Sequence, residues 1–120
     1  MQSNFDQMKS VVRYMRSSLA HALRGCGMRG REIAADAAVG RHAPCWIHEA
    51  KSKGPRPVVF EIHGGGFALG DARKEDALRE WIRDSFDVHV VGLDYRLAPE
   101  IPAPAALDDV VASIRMIASG

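Results

Sequence analysis

The sequence lacks several features that mark specialised classes of protein. None of its apolar runs approaches the roughly eighteen residues that a membrane-spanning helix needs. A secretory signal requires a continuous apolar segment near the N-terminus, and the sequence has none there. The two cysteines, Cys26 and Cys45, match no metal-ligand or redox spacing. We therefore expect a cytoplasmic chain with no membrane span, no metal site and no cofactor.

A strong charge of one sign is also missing. The net charge of +1 argues against a dedicated nucleic-acid binder. Six of the 16 Lys and Arg residues, but only one of the 15 acidic residues, lie within residues 1–31. Such a basic, acid-poor start is also typical of organelle transit peptides, so organelle targeting stays open beside the cytoplasmic interpretation.

Apolar residues at spacings of three and four predict an amphipathic helix over residues 4–24. Gly25 and Gly27 are natural helix stops. The simpler interpretation is that this helix covers core, while its arginines leave a membrane-surface role open. Residues 32–39, which follow, are either a poor strand or a frayed helix. The apolar stripe of the helix consists of Phe5, Met8, Val12, Met15, Leu19 and Ala22.

From residue 45 onward, strands and helices alternate. Residues 45–50 are a candidate short strand, residues 58–62 form a β-branched and aromatic strand, and residues 88–93 have the nearly continuous apolar pattern of a strand buried on both faces. One helix begins after Asp71 and another follows Pro104. This order predicts parallel pairing in an α/β architecture. The apolar faces consist of Ala77, Leu78, Trp81, Ile82 and Phe86 in the first helix, and Leu107, Val110, Val111, Ile114 and Ile117 in the second.

Three consecutive glycines, Gly64, Gly65 and Gly66, follow the strand over residues 58–62. The carboxyl end of a parallel strand is a usual place for a ligand. Glycines there let the backbone approach the ligand and turn its N–H groups toward it. Such donors suit an anion, either a phosphate or the oxyanion that develops during acyl transfer.

The phosphate interpretation depends on a loose dinucleotide-type pattern. Gly64, Gly66 and Gly70 supply its glycines, and Asp94 ends the next strand, where an acid could meet a ribose hydroxyl. The acid comes later than the usual spacing of about 20 residues, and the bulky Phe67 lies inside the turn. A nucleotide-binding module is therefore the least favoured of the alternatives.

The oxyanion interpretation has a second motif in its support. Residues 63–67 read His-Gly-Gly-Gly-Phe and residues 94–100 read Asp-Tyr-Arg-Leu-Ala-Pro-Glu. The pair resembles the signature of hormone-sensitive-lipase-like esterases with the α/β-hydrolase fold, and the resemblance covers roughly residues 45–118. It implies a partial, mostly parallel hydrolase sheet. Residues 1–40 would be a cap-like helix and linker, and residues 41–120 the N-terminal part of the hydrolase domain.

The resemblance also implies roles for the motif residues. Gly65 and Gly66 would donate backbone N–H groups to the tetrahedral intermediate, with Gly64 making the turn possible. His63 either holds the loop by hydrogen bonding or is a packed ring; it is not the triad base, which in this fold follows the serine and the acid along the chain. Opposite charges beside the strand end can also lock a loop through charge-assisted hydrogen bonds, so a second set of residues is interpreted as support for the glycine loop, with direct substrate contact as the less favoured alternative. This set consists of Asp94, Tyr95, Arg96 and Glu100.

The chain contains no G-x-S-x-G sequence, because Ser85, Ser113 and Ser119 lack flanking glycines at that spacing. We therefore expect a chain truncated before the nucleophile elbow, inactive by itself and acting on a small ester only once completed. The alternative is a non-catalytic binding subunit or pseudoenzyme. It would use the outer edge of the strand over residues 58–62, which the family's strand order leaves open to pairing or aggregation.

Overall fold

The computed structural model describes residues 3–22, 29–35 and 43–119. Three α-helices and four strands are found in this part of the chain. The helices are α1 (Asn4–Ala22), α2 (Asp76–Phe86) and α3 (Ala105–Ser119), and the strands are β1 (Arg31–Ile33), β2 (Cys45–His48), β3 (Val58–Ile62) and β4 (His89–Leu93). A 3-10 helix, Ala72–Glu75, leads into α2. The alternation of β3, α2, β4 and α3 confirms the predicted α/β architecture.

The four strands form one sheet in the order β1-β2-β4-β3. β3 and β4 run parallel, from Val58 opposite His89 to Ile62 opposite Leu93, because α2 crosses over between them. β2 is antiparallel to β4, and β1 is antiparallel to β2. This part of the sheet is therefore mixed, and β3 is a terminal strand of the sheet that the described residues form.

β4 provides the centre of the core. Val90, Val91 and Leu93 are at most 1% exposed, as expected of a strand buried on both faces. α3 covers the sheet with much of its predicted apolar face, although Leu107 is 62% exposed. The cluster around Cys45, Val91 and Leu93 also contains Ile33, Ile47, Phe60, Val110, Ile114 and Ile117.

α2 buries polar side chains rather than its predicted apolar face. Asp76 and Arg79 are 3% and 0% exposed, whereas Trp81 and Phe86 are 60% and 65% exposed. The arginine fits because Gly92 on β4 has no side chain; a Cβ there would lie 2.6 Å from the guanidinium. The 3.6-residue period predicts that a helix has two unlike faces, but it does not determine which face the sheet accepts.

The buried guanidinium of Arg79 ties α2 to the elements on either side of the glycine run. It donates to Oε2 of Glu61 on β3 at 2.8 Å and to the carbonyl of Ala72 at 2.7 Å. A buried arginine is tolerated only with such partners, because an unpaired charge in the interior is costly.

α1 agrees with the predicted helix as far as the described residues reach. Val12 is buried, while Met8 and Met15 are 46% and 44% exposed. The side chains of Phe5, Leu19 and Ala22 lie outside the described residues, as do residues 23–28, with the predicted helix stops Gly25 and Gly27, and residues 36–42. Of the segment predicted as a poor strand or frayed helix, residues 32–33 belong to β1. Among the described residues, none of the helices combines the length and apolarity needed to cross a bilayer.

Candidate functional site

The glycine run forms a tight turn directly after β3. φ is +136° at Gly65, +63° at Gly66 and +61° at Phe67. The carbonyl of Gly65 accepts hydrogen bonds from the amides of Ala68 at 3.2 Å and Leu69 at 3.0 Å. A Cβ at Gly65 would overlap the carbonyl group of Leu69, so only glycine fits there.

The amides of Gly65 and Gly66 have no protein acceptor among the described residues. The β3–β4 ladder ends at Ile62 opposite Leu93, and in the described part of the chain neither glycine amide donates to a protein acceptor. A Cβ on Gly66 would meet nothing within 4 Å, and the same holds for Gly64, whose φ lies outside the left-handed region. The backbone requirement for the turn therefore falls on Gly65 and Gly66.

Tyr95 and His63 fix the point at which the loop leaves β3. The Tyr95 hydroxyl donates to the His63 carbonyl at 2.6 Å. Their rings stack with centroids 4.3 Å apart, and both residues are buried. His63 Nδ1 lies 3.0 Å from the carbonyl of Gly64. Burial raises the pKa of Tyr95, so its hydroxyl keeps the proton that it donates.

Asp94 lies just beyond the carboxyl end of β4. Its Oδ1 accepts the amide of Ala72 at 3.2 Å and lies 3.9 Å from Nε2 of His63. Burial raises the pKa of the Asp94 carboxyl. The carboxylate is thus used within the protein, at the start of the 3-10 helix, and a ribose hydroxyl would have to compete with the Ala72 amide.

Arg96 and Glu100 contact neighbouring helices rather than the glycine run. Arg96 donates its amide to Asp109 Oδ2 at 2.8 Å and its guanidinium to the same carboxylate at 2.8–3.0 Å. Glu100 pairs with Arg16 at 2.6 Å, and that hydrogen bond holds the pKa of the Glu100 carboxyl below its usual value. The two motif residues therefore hold α3 and α1 beside the loop.

Arg16 and Asp109 are contact residues that sequence reasoning missed. Arg16 reaches Ala68, Ala98 and Glu100, which lie 52, 82 and 84 positions away. Asp109 is fully buried beneath Arg96. No local pattern marks either residue, because each belongs to an amphipathic helix in which charged side chains are expected.

An apolar cavity of about 220 Å³ adjoins the loop at Phe67. The exposed side chains of Phe67 and Leu107 face it from the glycine turn and from α3. Such a lining suits the hydrocarbon part of a ligand. The remaining lining residues are Ala98, Ile101, Ala103, Pro104 and Ala106.

A cluster between the end of β2 and the start of α2 has the residue types of a metal site. Ligand atoms of His48, Asp76 and Glu80 lie within 4.8 Å of one another. Arg29 already pairs with both carboxylates, at 3.3 and 2.7 Å, and Arg79 lies 3.5 Å from Asp76. Two guanidinium groups therefore neutralise the charge that would attract a cation, and we assign no metal to the cluster.

Comparison with known proteins places this geometry in context. A family model described as alpha/beta hydrolase fold matches residues 59–120. The carboxylic ester hydrolase LipN of Mycobacterium tuberculosis is 51% identical over 71 residues, which cover 58% of this chain and 19% of the relative. The chain thus spans about a fifth of the length of this curated relative.

Solved structures match almost the whole chain. A hyperthermophilic esterase from the archaeon Pyrobaculum calidifontis superposes with a TM-score of 0.76 at 24% identity, over 91% of this chain and 38% of the other, and this likeness shows the fold alone. The esterase LipW from Mycobacterium marinum is 31% identical with a TM-score of 0.64, over 96% of this chain and 37% of the other.

Proposed function

This chain belongs to the alpha/beta hydrolase fold family, and from that premise we propose that it forms the part of a carboxylic ester hydrolase that carries the oxyanion-binding loop. One observation carries the proposal: the adjacent amides of Gly65 and Gly66 lie beyond the carboxyl end of β3 without a protein acceptor in the described part of the chain. A relative named as a carboxylic ester hydrolase is 51% identical over 71 residues, which supports the assignment.

The chemistry needs two such donors. When a nucleophile attacks an ester carbonyl, the carbonyl oxygen becomes negatively charged in the tetrahedral intermediate. Amides that already point toward that oxygen need no reorganisation during the reaction, and one donor of this kind is worth about 2.7–4 kcal/mol. Gly65 and Gly66 would supply both donors from consecutive residues, and Gly64 precedes them at the end of the strand.

The surrounding contacts support a loop that is ordered before the substrate arrives. Tyr95 holds the His63 carbonyl, and Asp94 holds the amide of Ala72 beyond the turn. Arg96 and Glu100 act further out, by fastening α3 and α1. Donors fixed in this way favour the transition state over the neutral substrate.

The nucleophile, its acid and its base belong, in this proposal, to residues outside the 120-residue sequence, which contains no G-x-S-x-G. Residues 41–120 would form the N-terminal part of the hydrolase domain and residues 1–40 a cap-like helix with its linker. Serine-based ester hydrolysis requires a nucleophile, a general base and oxyanion donors, so no cofactor or metal is invoked. The substrate is a small ester whose hydrocarbon part fits the apolar cavity beside Phe67.

A fusion protein tests the proposal. Residues 1–120 are joined to the segment of LipN that follows its matched region, and hydrolysis of p-nitrophenyl butyrate is measured beside labelling by a serine-reactive phosphonate. We expect the fusion to hydrolyse the ester and the 120-residue chain to be inactive. Gly65→Ala, which displaces the turn, should lower kcat by roughly 100-fold or more.

Gly54→Ala is the matched control for this experiment. Gly54 also has a positive φ, +95°, but has open space around it and is remote from the loop. Its variant should keep the activity of the fusion. If the Gly65→Ala and Gly54→Ala variants of the fusion hydrolyse the ester equally well, Gly65 is not part of the oxyanion site.

A second candidate function is favoured by a different observation. Val58, Val59 and Ile62 of the terminal strand β3 are 42%, 37% and 47% exposed. An apolar strand edge of this kind can pair with a strand of another chain. A non-catalytic binding subunit would use this edge to bind another protein. This function would be favoured if the chain binds a different protein stably and the fusion does not hydrolyse esters.

A further inference from the structure

Arg16 of α1 contacts the loop that follows β3 and the loop that follows β4 at the same time. Its Nε donates to the carbonyl of Ala68 at 3.0 Å, and one terminal nitrogen donates to the carbonyl of Ala98 at 2.8 Å. The other terminal nitrogen pairs with Glu100 at 2.6 Å. One planar guanidinium therefore serves three acceptors in fixed directions, which the ammonium of a lysine cannot reproduce.

The two carbonyls that Arg16 binds belong to residues that are themselves bonded to the glycine turn. The amide of Ala68 donates to the Gly65 carbonyl at 3.2 Å, and the amide of Ala98 donates to the Phe67 carbonyl at 2.8 Å. A shift of either residue would therefore be passed on to the backbone that carries the open amides. Arg16 thus acts on the turn from its outer side.

Among the described side chains of α1, apolar burial contributes little to the docking of the helix. Val12 is the one buried side chain among those described in the helix, whereas Met8, Val11 and Met15 are 46%, 57% and 44% exposed. Because hydrophobic stabilisation scales with the apolar area removed from water, so narrow a contact is weak. The hydrogen bonds and the ion pair of Arg16 therefore strengthen a link that this apolar contact alone would leave weak.

We propose that Arg16 is a positioning residue for the oxyanion loop, so that docking of α1 and ordering of residues 65–69 form one linked equilibrium. This inference depends on the proposed function only for the role that it gives to the loop. Loss of the Arg16 contacts releases α1 and disorders the turn, whereas the intact contacts order both.

Amide hydrogen exchange on the intact protein measures the ordering directly. Arg16→Ala and Arg16→Lys should accelerate exchange at Ala68, Leu69 and Ala98 by about tenfold or more, the effect of losing one charge-assisted hydrogen bond. Exchange at Val90 and Val91 in β4 should stay unchanged. Millimolar guanidinium should restore protection in Arg16→Ala, whereas ammonium should not.

Arg13→Ala is the matched control, because it removes a positive charge from an exposed position of the same helix. It should exchange like the unaltered protein. If Arg16→Ala also accelerates exchange in β4, the variant unfolds the protein as a whole. Loop exchange in Arg16→Lys then tests the positioning role. Unaltered loop exchange in Arg16→Lys, or equal acceleration in Arg13→Ala, would overturn the proposal.

Kinetics in the ester-hydrolysing fusion separate positioning from general stability. Arg16→Lys should lower kcat by about tenfold or more while KM stays within about twofold, because the loop acts on the transition state rather than on the bound ester. A rise in KM at unchanged kcat would contradict the positioning role. If the unaltered fusion does not hydrolyse esters, the proposed function fails, and the exchange measurements still decide whether Arg16 orders the loop.

Discussion

Single residues in the glycine run differ in what the structure demands of them. Gly65 combines a φ of +136° with a clash that any Cβ would make against Leu69. Gly66 needs only its left-handed φ, and Gly64 needs neither. Three identical letters in the sequence therefore carry three different requirements, which depend on where the chain turns back.

Gly65→Ala should destabilise the folded protein by roughly 2–5 kcal/mol, because an unfavourable φ and an overpacked contact add together. Gly54→Ala carries the unfavourable φ without the clash and should cost only about 1–2 kcal/mol. Urea unfolding followed by circular dichroism measures both. Equal losses in the two variants would mean that the contact with Leu69 is unimportant.

Tyr95→Phe removes a buried hydrogen bond and keeps the ring that stacks on His63. The His63 carbonyl is left without the hydroxyl, so we expect a loss of about 1–3 kcal/mol in unfolding free energy. Tyr14→Phe makes the same chemical change on a side chain that is 74% exposed and should cost less than about 0.5 kcal/mol. Similar midpoints for both variants in thermal unfolding would argue against the hydroxyl as a support of the loop.

Among the elements, helices α2 and α3 are held by polar contacts as well as by apolar ones. α2 is held through Arg79 and α3 through Asp109, and both side chains are fully buried. Such contacts depend on direction, so they fix the helices at particular positions near the loop. Apolar packing alone would let the helices shift more easily against the sheet, because it does not depend on direction.

Asp109→Ala should weaken the attachment of the first turn of α3. The Asp109 carboxylate accepts both the amide and the guanidinium of Arg96, and the loss of bonds to a charged group costs about 1.5–3 kcal/mol. Asp108→Ala alters the neighbouring exposed carboxylate and should leave stability within about 0.5 kcal/mol. Chemical denaturation distinguishes the two, and an equal effect would assign the loss to helix-end electrostatics instead.

For the whole molecule, the exposed apolar surface of β3 is the feature that most affects association between chains. This strand ends the sheet formed by the described residues, and three of its apolar side chains are exposed. Unpaired N–H and C=O groups beside apolar side chains favour pairing between chains. The 120-residue chain should therefore associate or aggregate through β3 when that edge is left uncovered.

Val59→Lys should reduce this association, because a lysine on an edge strand opposes pairing with another strand. Light scattering over a concentration series measures the change. Leu107→Lys is the control, because it places the same charge on a side chain that is 62% exposed on α3 and away from the edge. If both variants reduce scattering equally, a general gain in charge rather than the edge is responsible.

Much of the fold and the family could be predicted from local pattern. The apolar runs of β3 and β4, and the two motifs at their carboxyl ends, depend on neighbouring residues, and the match to the alpha/beta hydrolase fold confirms the family inferred from them. The roles assigned to Gly65 and Gly66 stay predictions. Only the tertiary structure decided that α2 buries Arg79 instead of Trp81, that Asp109 lies beneath Arg96 and that Arg16 reaches the glycine turn. These contacts join residues 7 to 84 positions apart. Whether a charged side chain is buried depends on partners that the chain brings together only when it folds.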